Sequence, residues 1–227
     1  MREGRIEIDV EDGCIEAFVA WPGDLGHWPP VILLASWEGQ AAVLSAAARR
    51  LAAQGFFVLA PSAPDEPVEE AFDAWLDYLA GQRLADDVRV GVVGYGKGAG
   101  WAVQLAAAHG ERIAAVAAFD PAGLPPESLR PLAECLNAVV HLGYSGHDDP
   151  GGEPGRASLA AELRRAGVDF EVEVYPARAG FAVPGDPHHD RRAADMHWKR
   201  LVELFRRTLL PPGSGDGAQP SMAPPTP

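Results

Sequence analysis

Two cysteines, three methionines and four tyrosines in 227 residues leave this chain little redox or metal-binding capacity. Cys14 and Cys135 are far apart, with no CxxC spacing and no partner set for a zinc site or a disulfide framework. The expectation is that both are free, buried thiols packing as small apolar side chains. Basic residues are scarce as well: 19 Lys and Arg stand against 32 Asp and Glu, a formal net charge of −13. That balance disfavours nucleic acid and anionic membrane surfaces, both of which are recognised through clustered Lys and Arg. No apolar run approaches the length needed to cross a bilayer, and residues 1–10 lack the apolar stretch of a secretion signal. The expected setting is the cytoplasm.

What the chain does have is an ordinary globular composition, 47% hydrophobic and 22% charged. The length suits one α/β domain, expected over residues 1–210. Residues 211–227 are Gly, Ser, Pro, Ala and Thr with little to bury, and read as a disordered tail. Within the domain, residues 5–10 and 14–21 alternate polar and apolar around Glu11, Asp12 and Gly13, the pattern of a hairpin. Residues 31–35 are a continuous apolar run, as a strand covered on both faces requires. Further strands are expected at 56–60, 88–93, 113–119, 138–142 and 170–175. Helices are expected at 40–54, from 68 onward, and at 97–109, 158–166 and 190–210. Gly55 and Gly110 stand where two of these helices should end in a left-handed residue. Strands alternating with helices imply a mostly parallel sheet covered on both sides.

The informative segment is Gly91-Val92-Val93-Gly94-Tyr95-Gly96-Lys97-Gly98, a buried strand entering a helix through a glycine-crowded turn. In a nucleophile elbow, G-x-[S/C]-x-G, the outer glycines allow close strand–helix contact and the central side chain attacks the substrate. Gly94 and Gly98 take the outer positions here, and Gly96 takes the centre. The looser dinucleotide fingerprint G-x-G-x-x-[G/A] also fits Gly94, Gly96 and Ala99, with Asp120 ending the next strand. Its mid-chain position argues against that alternative. A phosphate-binding P-loop is excluded, because Lys97 lacks the G-x-x-x-x-G-K-[ST] context.

Residues 30–55, 56–61, 91–98 and 174–185, in this order and spacing, resemble the dienelactone hydrolase family of the α/β-hydrolase superfamily. The resemblance covers residues 5–210. It implies an eight-stranded α/β-hydrolase fold and a Cys–His–Asp triad that opens lactones and related esters. Carried over by position, the triad Cys falls on Gly96 and the His on Ala179, ahead of Gly180 and Phe181. An ungapped match places Gly146 at the Asp position, whereas a shifted one places Asp148 or Asp149 there. The segment after Pro61 is shorter than the family's usual excursion, implying a reduced cap. The family's Glu in the loop after the strand at 31–35 lies one or two positions from Glu38.

A glycine elbow keeps its backbone N–H groups, so the amide of Lys97 at the helix N-terminus is expected to favour an oxyanion. Acyl-enzyme chemistry needs a Ser, Cys or Thr instead. Glu38 is a candidate general base if flanking Trp37 raises its pKa, or else a solvated loop carboxylate. His147 is a candidate acid–base, or an ordinary surface turn residue beside Asp148 and Asp149. Trp37, Tyr95, Lys97, Tyr144 and Phe181 are candidate walls or ligand contacts, with Tyr95 packing beneath the turn as its plainer role. His188 and His189 with His147 lack an established metal-ligand spacing, and Asp190 suits a helix cap. Neither metal nor cofactor is expected.

Three function classes follow. The leading one is a small-molecule cyclase, isomerase or lyase that uses an oxyanion-binding pocket without hydrolysis. The second is a non-catalytic pseudoenzyme that binds a ligand or partner, and the third is a residual hydrolase using water activated by Glu38 or His147. A monomer or homodimer is expected in each case.

Overall fold

A computed structural model of the chain describes residues 1–11, 13–35, 41–62, 69–82, 89–147, 152–183 and 186–210. Trp37, Glu38, Asp148, Asp149 and the expected tail at 211–227 lie outside the described residues. The strands are β1 (Arg2–Val10), β2 (Gly13–Trp21), β3 (Pro30–Ala35), β4 (Phe57–Pro61), β5 (Val90–Tyr95), β6 (Ile113–Phe119), β7 (Val139–Ser145) and β8 (Phe170–Tyr175). The helices are α1 (Ala41–Ala52), α2 (Glu69–Ala80), α3 (Lys97–Ala108), α4 (Pro126–Cys135), α5 (Gly152–Ala166) and α6 (Arg191–Leu209).

All eight strands join one sheet in the order β1-β2-β4-β3-β5-β6-β7-β8. The hairpin pairs antiparallel with itself and with β4, and every pairing from β3 to β8 is parallel. Residue type explains the layers. β3, β5 and β6 are buried at every residue because helices cover both faces, whereas β1 alternates exposed and covered positions. On one face α2, α3, α4 and α5 pack Trp75, Leu105, Leu129 and Leu163 against the sheet. On the other, α1 and α6 supply Leu51, Leu201 and Phe205. Each buried Leu or Phe contributes about 1.5–3 kcal/mol, so the core is secured from both sides.

Several sequence expectations need correction. Cys14 and Cys135 are exposed, not buried. Cys14 sits on the outer hairpin, and Cys135 is the last residue of α4, where no layer covers it. Helix α4 was not expected at all, since Pro131 lies inside it and its buried stripe is just Leu129 and Ala133. Helix α5 begins at Gly152 rather than at Ser158, its first turns disguised by Gly152, Pro154 and Gly155. Gly55 does take the left-handed turn at φ 99°, but Gly110 is not among the residues with positive φ. Its missing Cβ instead admits Asn137 and the Cys135 carbonyl.

Candidate functional site

The parallel order places the carboxyl ends of β3, β5, β6 and β7 on one edge of the sheet, where open α/β folds bind ligands. The β5–α3 turn lies at the centre of that edge. A Cβ on Gly94 would stand 2.2 Å from the Gly98 carbonyl oxygen, and one on Gly98 would stand 2.5 Å from that of Leu34. Backbone packing against backbone therefore dictates both glycines.

Gly96 caps the N-terminus of α3 at φ 57° and ψ −120°, a conformation that side-chain-bearing residues rarely adopt. No side chain caps α3; Gly96 acts through its main chain alone, its O accepting the N–H of Ala99 at 3.1 Å and of Gly100 at 3.4 Å. The turn is clamped to the segment following β6. Gly96 N–H donates to Phe119 O at 2.9 Å, and Ala122 N–H donates to Gly96 O at 3.0 Å. Asp120 lies between those two anchors, which is why it sits beside the turn.

A cavity of about 220 Å³ opens at this point. Its described walls are Tyr95, Gly96, Phe119, Asp120, Ala122 and the 179–183 segment. That segment is held over Gly96 by successive turns: Phe181 N–H donates to Arg178 O, Val183 N–H to Gly180 O, and Asp190 N–H back to Phe181 O. Two lining side chains carry a polar group, Tyr95 and Asp120. None of the described lining residues is a Ser, Cys, Thr or His.

Asp120 adopts φ 48°, making it the non-glycine residue with positive φ among those described. Its carboxylate spans to the end of β7. Oδ1 accepts the Ser145 N–H at 2.7 Å and Oδ2 accepts the Ser145 hydroxyl at 2.8 Å. Ser145 is fully buried, which fixes the direction of the carboxylate.

Below the turn, on the α6 side, lies a cluster of titratable side chains. Tyr95 Oη is 2.8 Å from Nε2 of His197, which is fully buried, and the Phe119 ring packs edge-on against the imidazole at 4.0 Å. Nδ1 of His197 has no hydrogen-bond partner among the described residues. Burial, reinforced by His141 and Arg50, pushes the His197 pKa down to about 3, so the ring is neutral. His141 bonds to Glu171 through Nδ1 at 3.1 Å and approaches the Tyr175 hydroxyl through Nε2 at 3.4 Å. Burial also lowers the His141 pKa, against the opposing pull of Glu171. Both Tyr95 and Tyr175 are held protonated, chiefly by burial.

The residues expected from sequence scatter around this centre. Gly96, Ala179, Tyr95 and Phe181 meet in the cavity. Gly146 stands at the end of β7, its N–H donating to Tyr175 O, and His147 follows with its N–H on Ala177 O. The His147 side chain is exposed and outside the described lining. Tyr144 lines a separate cavity of about 470 Å³ between the post-β6 loop, α4 and α5, meeting the first at Ala122. The Lys97 side chain is exposed, which leaves its main-chain amide as the part facing the turn. Asp190 caps α6 by accepting the Ala193 N–H, and His189 Nδ1 contacts Phe181 O, so this stretch shapes the loop. No cluster of three or more His, Cys, Asp or Glu suited to a metal occurs among the described residues.

Sequence reading named Asp120 only as the acid of a dinucleotide fingerprint, and missed His197 as part of this region. The signal for Asp120 was its position directly after the apolar run of β6, at a strand's carboxyl end. His197 gave none, because it occupies an ordinary inward position of an amphipathic helix.

The chain as a whole is similar to known proteins. The dienelactone hydrolase family profile matches residues 62–209. A protein of Methylorubrum extorquens named "Putative carboxymethylenebutenolidase" is 30% identical over 90% of this chain and 80% of its own length. Among solved structures, a putative dienelactone hydrolase from Klebsiella pneumoniae superposes with a TM-score of 0.79 at 22% identity, covering 91% of this chain and 98% of its own. A dienelactone hydrolase-like promiscuous phosphotriesterase from metagenomic libraries superposes at 0.78 with 24% identity, covering 92% of this chain and all of its own. Both structures share the α/β-hydrolase fold.

Proposed function

The chain belongs to the dienelactone hydrolase family, and on that premise we propose that it binds a small lactone, carbonyl or carboxylate compound beside Gly96 and rearranges it without hydrolysis, as a cyclase, isomerase or lyase. One observation carries this reading: a cavity at the elbow whose described walls hold no Ser, Cys, Thr or His. By position the triad Cys falls on Gly96, the His on Ala179, and the Asp on Gly146 or, with a shift, on Asp148 or Asp149; an acyl-enzyme needs a Ser, Cys or Thr that Gly96 does not supply.

What the site keeps is electrostatic. The uncapped start of α3 presents the amides of Lys97 and Gly98 with the positive end of the helix dipole. A carbonyl oxygen seated there gains stabilisation as it becomes an oxyanion, with about 2.7–4 kcal/mol for each well-placed donor. Aromatic and aliphatic walls exclude water and favour a small unsaturated body. Trp37 and Glu38, candidates from sequence, lie outside the described residues.

Binding is tested by saturation-transfer NMR with simple five-membered lactones. The wild type gives transfer, and Ala179→Trp, which fills the cavity, abolishes it without lowering the melting temperature. Ester turnover is measured in parallel on p-nitrophenyl esters. A burst of nitrophenolate with a covalent acyl adduct in the mass spectrum would sink the proposal. The relatives' hydrolase names favour a second reading, direct attack by activated water. Its mark is steady ester turnover with neither burst nor adduct.

A further inference from the structure

The cavity at Gly96 has a larger neighbour. Its own volume of about 220 Å³ gives room for a small ring and falls below the ~300–1,000 Å³ usual for a whole ligand. The second cavity, of about 470 Å³, lies on the other side of Ala122, and its described walls are mostly apolar: Pro121, Leu124, Leu129 and Leu159 with the Tyr144 ring. Ala122 lines both spaces, and its N–H is the one that donates to Gly96 O at 3.0 Å. A single residue therefore separates the elbow from the second space.

That second space is built into the packing. Helix α4 buries Leu129 and Ala133 and carries Pro131 within it, so it offers the sheet a thin apolar stripe rather than a full layer. The loop ahead of α4 is held in place from both ends. A Cβ on Gly100 would stand 2.2 Å from the Ala122 carbonyl oxygen, so the loop backbone already rests on α3. Pro121, Pro125 and Pro126 fix its direction by locking φ. Arg156 lies across the Tyr144 ring, 5.6 Å from guanidinium carbon to ring centroid, and its stem adds to the apolar wall.

Resting on the carbonyl-binding reading above, we propose that the substrate is a lactone or related carbonyl compound carrying an unbranched alkyl or alkenyl tail. Its carbonyl head sits at Gly96, and its tail passes Ala122 into the cavity between α4 and α5. Volume and lining fix the class. The first cavity has no room for a large head, and the second presents leucine and proline surface that a short polar ligand would leave in water. A tail of about six carbons covers that surface, and each methylene buried there is worth about fourfold in affinity.

The probes are γ-valerolactone, γ-octalactone, γ-decalactone and γ-dodecalactone, which share one ring and lengthen the tail from methyl to octyl. Dissociation constants come from saturation-transfer NMR titrations. Wild-type binding should tighten about fourfold for each added methylene until the second cavity is full. Leu124→Trp fills that cavity from a partly exposed wall and should flatten the slope. Leu129→Ala enlarges it and should move the best tail to a longer one, which keeps the test readable if Leu124→Trp folds poorly. Nuclear Overhauser contacts should run from the tail methyl to Leu129 and Leu159, and from the ring to Phe181. A wild-type series with no gain from methyl to hexyl overturns the tail assignment and leaves the carbonyl-binding site standing. An equal slope in folded Leu124→Trp, or an unmoved best tail in Leu129→Ala, does the same. Binding of none of the lactones by the wild type, or unchanged affinities in Ala179→Trp, overturns the underlying reading and this inference with it.

Discussion

Two regions separated by a single layer of side chains use their chemistry in opposite ways. The cavity at Gly96 has access and shape, with Asp120 among its lining residues. The cluster beneath it holds His197, His141, Tyr95 and Tyr175, residue types associated with catalysis, packed ring against ring. Yet His197 is fully buried and neutral, and its polar contact is the Tyr95 hydroxyl. A general acid or base must reach substrate, and burial that removes access also removes the charged state. The cluster supports the floor of the site, since Tyr95 belongs to both regions.

The largest expected effect separates the regions by pH. An unfolded imidazole takes up its proton near 6.5, whereas His197 in the folded protein does so near 3. Between those values the unfolded state binds more protons, so stability present above pH 6.5 is lost as pH falls toward 3. The loss from this residue is on the order of 5 kcal/mol. Urea denaturation across that window should show a shallower decline in His197→Gln than in the wild type. An unchanged slope would mean that His197 is not buried as a neutral group.

The next effect tests the elbow itself. Gly98→Ala drives a methyl group into the Leu34 carbonyl, and about 3 kcal/mol of destabilisation is expected from backbone overpacking. A loss below about 1 kcal/mol would show that the turn relaxes easily and does not require glycine at position 98.

Smaller still is Gly96→Cys, which needs a side chain at φ 57° and should cost about 2 kcal/mol. At the helix N-terminus the new thiol should alkylate rapidly with iodoacetamide near neutral pH, while native Cys14 and Cys135 react at ordinary rates. It should gain no ester turnover without a base at Ala179. Slow alkylation would place the turn outside an accessible cavity and erase the contrast between the two regions.

Much of the fold was legible because its signals are local. Continuous apolar runs marked β3 and β6, and the three glycines marked the β5–α3 turn. Helix α4 was hidden by Pro131 and a thin apolar stripe, and the two cysteines misled because thiols are usually buried. The site was legible in part. Gly96, Ala179 and Phe181 were placed by position and do share a cavity. Tyr144 was assigned to the same edge but faces the neighbouring cavity, because it turns toward the α4–α5 side of the sheet.

The sequence by itself determined the family, the alternation of strand and helix, and a turn that demands glycine at Gly94 and Gly98. Those features depend on residues within one or two elements. Tertiary structure alone decided which polar groups meet the ligand space. Asp120 and Ser145 are 25 positions apart, and Tyr95 and His197 are 102 apart. Parallel strand register brings the first pair together beside Gly96, and the packing of α6 seals the second pair away. Which polar groups meet was therefore decided by register and burial rather than by residue type.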